Sequence, residues 1–441
     1  MLSVQGVGLA AMQVCSEFRK DGSWIDSNWG RWIRSLERIE WLKGKGLLNN
    51  ERELVHFVAS RACEFESHWP EDFRLWLDHG VNGVRLNAPW ARINPERGKF
   101  DQEELSNLAA MPRIGKQMGL SKPAMTWYHW QMPGWADDIG SWKNPDMPKY
   151  FEDLVYEGMQ RIGNTPMLHT IINEPTVDAM FTRRWRRWLA HKLGDVEYME
   201  MLERLAEAHI RARKIILSIA PESEISIAHA ATWNDTNVPA LKKYWDDEGY
   251  FFIDLLRDMG GPDVINRLGL NLYFRRTGNR GQDVRAGWDG QVSYSPNQVF
   301  SDVCELTNGL KWEMCPEVLY HVPLAYWQKY GYPIYVTEHG YPIEGVEDYR
   351  KCWAIAEGIE QLHRAVQAGV DLRGIYWWAG LDNFEWGEGW GNFGLVHVDR
   401  KTQERKPKKS LEFLRDCVAA GGLTPEVRER WAPFITRPLA P

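Results

Sequence analysis

The chain has 441 residues, 44% hydrophobic and 26% charged, a balance close to globular averages that excludes a disordered or fibrous protein. Its formal charge of −7 argues against a nucleic-acid partner, because a phosphate-binding groove needs concentrated Lys and Arg. The six cysteines are scattered, with no CxxC pair and no zinc-type His spacing, which excludes a disulfide framework and a structural metal and points to a reducing compartment.

Taken in chain order, the opening residues lack the basic segment of a secretory signal, and no apolar stretch reaches transmembrane length, so a cytoplasmic location is expected. Short runs rich in β-branched and aromatic residues at 7–15, 81–90, 123–130, 167–173, 225–232, 265–274, 334–337 and 372–378 read as strands. Helix-like segments separate them, as at 198–216, where Leu202, Leu205, Ala212 and Ile216 fall near one face. Eight such strands are the number that closes a parallel barrel. The fold class predicted is therefore α/β: a single (β/α)8 TIM barrel over residues 1–441, with its active site at the C-terminal ends of the strands. Segments 41–50 and 277–291 have the Gly and polar content of loops, and the prolines beyond Gly422 predict an extended C-terminal arm from about residue 423.

Chemistry in such a barrel sits where the strands end. The fourth predicted strand ends in Asn173-Glu174-Pro175, the seventh in Thr337-Glu338-His339-Gly340, and the eighth runs into Asp382-Asn383-Phe384-Glu385-Trp386. Two carboxylates on opposite sides of one mouth suit glycosidic bond cleavage, in which one donates a proton to the leaving oxygen and the other attacks or stabilises an oxocarbenium-like centre. The competing reading is a pair of strand-end salt bridges. The 24 tryptophans fit either carbohydrate stacking or core packing, and only their positions can decide.

Through these motifs the chain resembles glycoside hydrolase family 1, the β-glucosidase and β-galactosidase family, over nearly its whole length. Asn173-Glu174-Pro175 looks like the acid/base motif, and Tyr335-Val336-Thr337-Glu338-His339-Gly340 like the nucleophile motif, usually written with Asn at the position of His339. Tyr128-His129-Trp130 looks like the strand-three sugar motif, and 382–386 with Phe393-Gly394-Leu395 like the strand-eight signature. The resemblance implies Glu174 as acid/base and Glu338 as nucleophile, with Arg85, Tyr273 and Asn271 supporting them. It further implies that Gln13, His129, Asn173, Glu385 and Trp386 bind sugar hydroxyls and that Trp378 forms the stacking floor. Arg85 and Tyr273 are expected to lower the pKa of Glu338, while burial and the charge of Glu338 raise that of Glu174.

The expected partner is a small-molecule β-glycoside, and no cofactor is expected, since neither metal-ligand spacing nor a phosphate-binding glycine loop stands at a strand end. Cys15-Ser16 replaces the family's usual Glu-Gly, and the loop before Phe393 lacks the Ser and Lys that accompany 6-phosphorylated substrates. The segment Phe181-Thr182-Arg183-Arg184-Trp185-Arg186-Arg187-Trp188 reads either as a border of the leaving-group site or as a solvated helix face. Hydrolysis by a retaining exo-β-glycosidase is the leading reading. Transglycosylation on the same scaffold and a non-catalytic glycan-binding barrel are the alternatives. Sugar preference and oligomeric state are not readable from the chain.

Overall fold

The computed structural model describes residue 2 and residues 4–184, 189, 194–277, 303–305 and 311–436. Eight parallel strands close a barrel: β1 (Val4–Gly8), β2 (Gly83–Asn87), β3 (Lys122–Tyr128), β4 (Leu168–Asn173), β5 (Glu224–Asp235), β6 (Leu268–Thr277), β7 (Ile334–His339) and β8 (Leu372–Trp377). Each strand pairs with the next in sequence, and β8 closes on β1 with Gly6 opposite Tyr376. The strands read as continuous apolar runs because helices cover their outer side and side chains fill the inside. Helices such as Phe65–Asp78, Gln102–Met118, Met147–Ile162 and Asp195–Ile219 provide that cover. No described helix is long and apolar enough to cross a membrane.

The floor of the barrel is a packed plug. Val4, Ala124, Leu168, Tyr335 and Tyr376 form a separate buried cluster. Beneath it Lys122 pairs with Glu224 at 2.5 Å, while the Tyr335 hydroxyl accepts from Lys122 and donates to Glu224. The Tyr376 ring fits only because strand one places a glycine beneath it, for a Cβ at Gly6 would stand 2.4 Å from the ring and 2.9 Å from the Gly83 carbonyl oxygen.

Three sequence expectations are corrected. The first strand was expected at 7–15, yet it spans Val4–Gly8, and Ala11–Val14 forms a helical turn. Pairing with β8 sets the strand at residues 4–7, and the Ala- and Met-containing run beyond it suits a helix at least as well as a strand. The expected loop at 41–50 is helical at its start, since helix Leu36–Gly44 reaches into it under the cap of Ser35. The expected extended arm after 423 is instead helix Pro425–Ile435. Thr424 caps it, Pro425 occupies the first turn where a missing N–H costs nothing, and Trp431 is buried edge-on against Phe413. The helix expected at 198–216 lies within Asp195–Ile219, and the expected loop beyond Thr277 falls outside the described residues.

The tight barrel floor predicts the effect of Gly6→Ala. Overpacking against Tyr376 and the Gly83 carbonyl should destabilise the protein by about 1–3 kcal/mol. Urea unfolding would read this as a lower midpoint, and an unchanged midpoint would mean that the floor can yield.

Candidate active site

Strands β2, β4, β6 and β7 deliver one connected polar network to the C-terminal mouth. Arg85 on β2 is fully buried, and its Nη1 donates to Glu338 Oε1 at 2.5 Å while Nη2 donates to Asn173 Oδ1 at 2.7 Å. The Tyr273 hydroxyl on β6 donates to the other oxygen of Glu338 at 2.9 Å. Asn271, also on β6, donates from Nδ2 to Glu174 Oε1 at 2.8 Å and to Asn173 Oδ1 at 3.1 Å. Thr337 Oγ1 donates to Asn271 Oδ1 at 2.7 Å, which fixes the orientation of that amide.

Local backbone features aim these groups. The β6–β7 register shifts between Leu270 and Asn271, bringing Asn271 opposite Glu338. A bulge of this kind re-aims side chains at barrel rims. Glu174 follows β4 in the left-handed region (φ 43°), a conformation that L-residues seldom adopt and that commonly marks functional positions. Pro175 then opens helix Pro175–Ala179, so the chain turns sharply away and leaves the carboxyl at the strand end.

The electrostatics separate the two carboxyls. Burial pushes Glu174 up to about 8, helped by the charge of Glu338 and opposed by the Asn271 hydrogen bond. Burial also raises Glu338, whereas the sequence reading expected it to fall below the usual range. Contact with Arg85 and the bond from Tyr273 offset that rise but do not reverse its sign. Arg85 touches Glu338 and not Glu174, so a proton shared by the pair resides on Glu174.

A second cluster faces this pair from β1, β3 and β8. Asn173 Nδ2 donates to His129 Nε2 at 2.9 Å, so His129 carries its own proton on Nδ1, and burial holds the ring neutral. Trp378 Nε1 donates to Glu385 Oε1 at 3.1 Å. The rings of His129 and Trp386 lie 5.4 Å apart, and those of His129 and Trp378 6.1 Å. Gln13 is buried beside Glu385, whose carboxyl burial pushes up to about 8. Glu174, Glu338, Arg85, Tyr273, Asn271 and Asn173 thus form one hydrogen-bonded network, which His129 joins to the ring cluster of Trp378 and Trp386.

Several residues at this mouth were not singled out from sequence. Asn383 lies within the strand-eight motif, fully buried and flanking Glu385. The side-chain amides of Gln13 and Asn383 face Glu385, whose carboxyl they help to hold down against its burial, and Nδ1 of His129 finds no hydrogen-bond partner among the described residues. Arg38 donates to the Gly387 carbonyl, and Trp390 Nε1 donates to the Val58 carbonyl at 3.2 Å, so the excursion after β1 clamps the loop that carries Glu385. Asp382 accepts from Lys408 at 2.6 Å and from Gly394 N at 3.0 Å, anchoring the other side of that loop. The motif could have suggested Asn383, whereas nothing in the spacing of Arg38 signals its contact. Arg183 is buried near Asp178 and Tyr128, and residues 185–188 lie outside the described residues.

Among the described residues no group of three His, Cys, Asp or Glu side chains is arranged to hold a metal ion. The chain is 26% identical to beta-glucosidase A of Acetivibrio thermocellus, across 95% of this chain and 98% of that relative. It is 25% identical to a beta-galactosidase of Sulfolobus acidocaldarius, across 79% and 82% of the two chains. The fold superposes on a beta-glucosidase from Thermotoga maritima, solved with a substituted glucoimidazole, with a TM-score of 0.77 at 23% identity over 96% of this chain and 98% of that one. The family model described as glycosyl hydrolase family 1 matches residues 6–251 and 259–423, and the chain belongs to that family as a β-glycosidase.

Proposed function

We propose that the protein is a retaining exo-β-glycosidase that cleaves β-D-glucosides or β-D-galactosides by double displacement. The observation that carries this reading is the pairing of Glu338, both oxygens of which accept bonds from Arg85 and Tyr273, with a Glu174 that burial keeps protonated. In the first step Glu338 attacks the anomeric carbon while Glu174 gives its proton to the leaving oxygen. The bond to the aglycone breaks and a glycosyl ester on Glu338 forms. Esterification removes the charge of Glu338, so the pKa of Glu174 drops and the carboxylate becomes the base that activates water. A second inversion at the same carbon restores the β-configuration.

The sugar site follows from the second cluster. Each unsatisfied buried polar atom costs about 1–3 kcal/mol. Nδ1 of His129 is such an atom, and the buried amides of Gln13 and Asn383 lie beside Glu385, a polar lining that a ring of sugar hydroxyls would satisfy. The indole of Trp378, held by its bond to Glu385, offers an apolar surface to the sugar ring. Asn173, fixed by Arg85 and Asn271, would meet the 2-hydroxyl, where a contact strengthens in the transition state.

On this reading kcat/KM is bell-shaped in pH. Activity falls at low pH as Glu338 gains a proton, and at high pH as Glu174 loses its own near 8. In Glu174→Gln the basic limb should vanish, with turnover of poor leaving groups reduced about 10²–10⁴-fold. A basic limb that survives unaltered would remove Glu174 from the acid role.

The nucleophile is tested by Glu338→Gly with p-nitrophenyl β-D-glucoside and β-D-galactoside. Turnover should nearly cease, and azide should restore part of it with an α-glycosyl azide as product, because only one displacement then occurs. For the wild-type enzyme, NMR before mutarotation should detect the β-sugar first. Release of the α-sugar first would exclude double displacement.

A further inference from the structure

Next to Glu338 stands a side chain that the scheme above does not use. His339 ends β7 and is completely buried, with its ring against Tyr341 and Trp377 at centroid distances of 5.1 and 5.9 Å. Its Nδ1 lies 2.6 Å from the carbonyl oxygen of Leu272 on β6. A carbonyl can only accept, so Nδ1 carries the proton and donates it. Nε2 is then a bare acceptor, buried with no partner among the described residues. Charging this ring would bury an unpaired proton, and burial accordingly holds its pKa down near 4.

The place of this bond gives it meaning. Between β6 and β7 the register runs from Leu270 opposite Val336 to Asn271 opposite Glu338, so β7 carries one extra residue, Thr337. A bulge interrupts the ladder at the point where it occurs. Here that point is where Asn271 and Tyr273 must reach Glu174 and Glu338. Leu272 lies between those two residues, and the His339 side chain holds its carbonyl just past the slip. On the other side, the His339 carbonyl accepts from Trp378 N at 2.9 Å. One residue therefore ties β7 to both neighbouring strands at the level of the carboxyl pair.

We infer that His339 is a positioning residue that, through its Nδ1–H bond to the Leu272 carbonyl, keeps Tyr273 in hydrogen-bonding register with Glu338. The inference rests on reading Glu338 as the nucleophile. Asn is the usual residue here in the family motif, and its amide nitrogen branches from the chain at the same point as Nδ1, so His339→Asn conserves the donor, whereas His339→Leu removes it.

The test compares wild type with H339L, H339N, Y273F and the double variant H339L/Y273F. Each is assayed for kcat/KM against pH on p-nitrophenyl β-D-glucoside, and thermal midpoints are recorded in parallel. Loss of the phenol bond should move the acid limb of Y273F upward by about one to two pH units, the equivalent of one hydrogen bond to a carboxylate. H339L should move that limb in the same direction and lower kcat more than it raises KM, and the double variant should move it no further than Y273F does. H339N should keep the wild-type limb. An unmoved limb in H339L, whatever its thermal midpoint, overturns the inference, and so does a limb displaced in H339N as far as in H339L. Should H339L not fold, H339N decides alone: a wild-type limb supports the inference and a displaced one overturns it. An unmoved limb in Y273F would instead count against Glu338 as the nucleophile.

Discussion

The buried ion pair between Arg85 and Glu338 is the constraint around which the mouth of this barrel is arranged. Arg85 is wholly inaccessible and Glu338 nearly so. Removing one partner from a pair of this kind typically costs about 3–5 kcal/mol, because the remaining charge is left stranded in a medium that cannot solvate it. Each group must also fill its remaining hydrogen-bonding capacity from nearby strands. Asn173 takes the second arm of the guanidinium, and Tyr273 takes the second carboxylate oxygen. The network that neutralises one buried charge is also the one that joins β2, β4, β6 and β7.

The same arrangement assigns different protonation states to two chemically equal side chains. Both glutamates are buried, and burial raises both. What separates them is position relative to a single guanidinium, which is in contact with Glu338 and acts on Glu174 only at a distance. Neutral amides complete the division without adding charge: Asn271 reaches Glu174 while its own oxygen is held by Thr337. The left-handed backbone at Glu174 and the register slip beside Glu338 are departures from ideal geometry located where the chemistry would occur.

The remainder of the mouth depends on long connections rather than on strands. Glu385 and Trp386 lie on the loop after β8, which Arg38 and Val58 grip from one side and Lys408 and Asp382 anchor from the other. Close approach matters here as well. Gly340 sits so near the Trp378 carbonyl that a Cβ would stand 1.7 Å from its oxygen, so the residue after His339 must be glycine for β8 to bring Trp378 over the mouth.

Much of this was legible in the chain, and the reasons differ by element. Periodicity marked eight strands because a parallel strand covered on both sides has nearly continuous apolar sequence, and seven of the eight expected runs overlap their observed strands closely. The first did not, since its apolar run continues past Gly8 into a helical turn and only pairing with β8 decides where the strand ends. The C-terminal helix was missed because prolines were read as breakers, although Pro425 stands in the first turn, where proline is tolerated. The direction of the Glu338 shift was also misjudged, because sequence identifies the neighbours of a carboxyl but not the depth of its burial. By itself, then, the sequence determined the strand periodicity and the motifs that carry the two carboxyls, all of which are local patterns, while Arg85 and Tyr273 entered only through the family resemblance. Only the tertiary structure decided the register slip that aligns Asn271 with Glu338, the bond from His339 to Leu272 and the clamp by Arg38, because these join residues 67 to 349 positions apart and depend on how strands and loops pack in space.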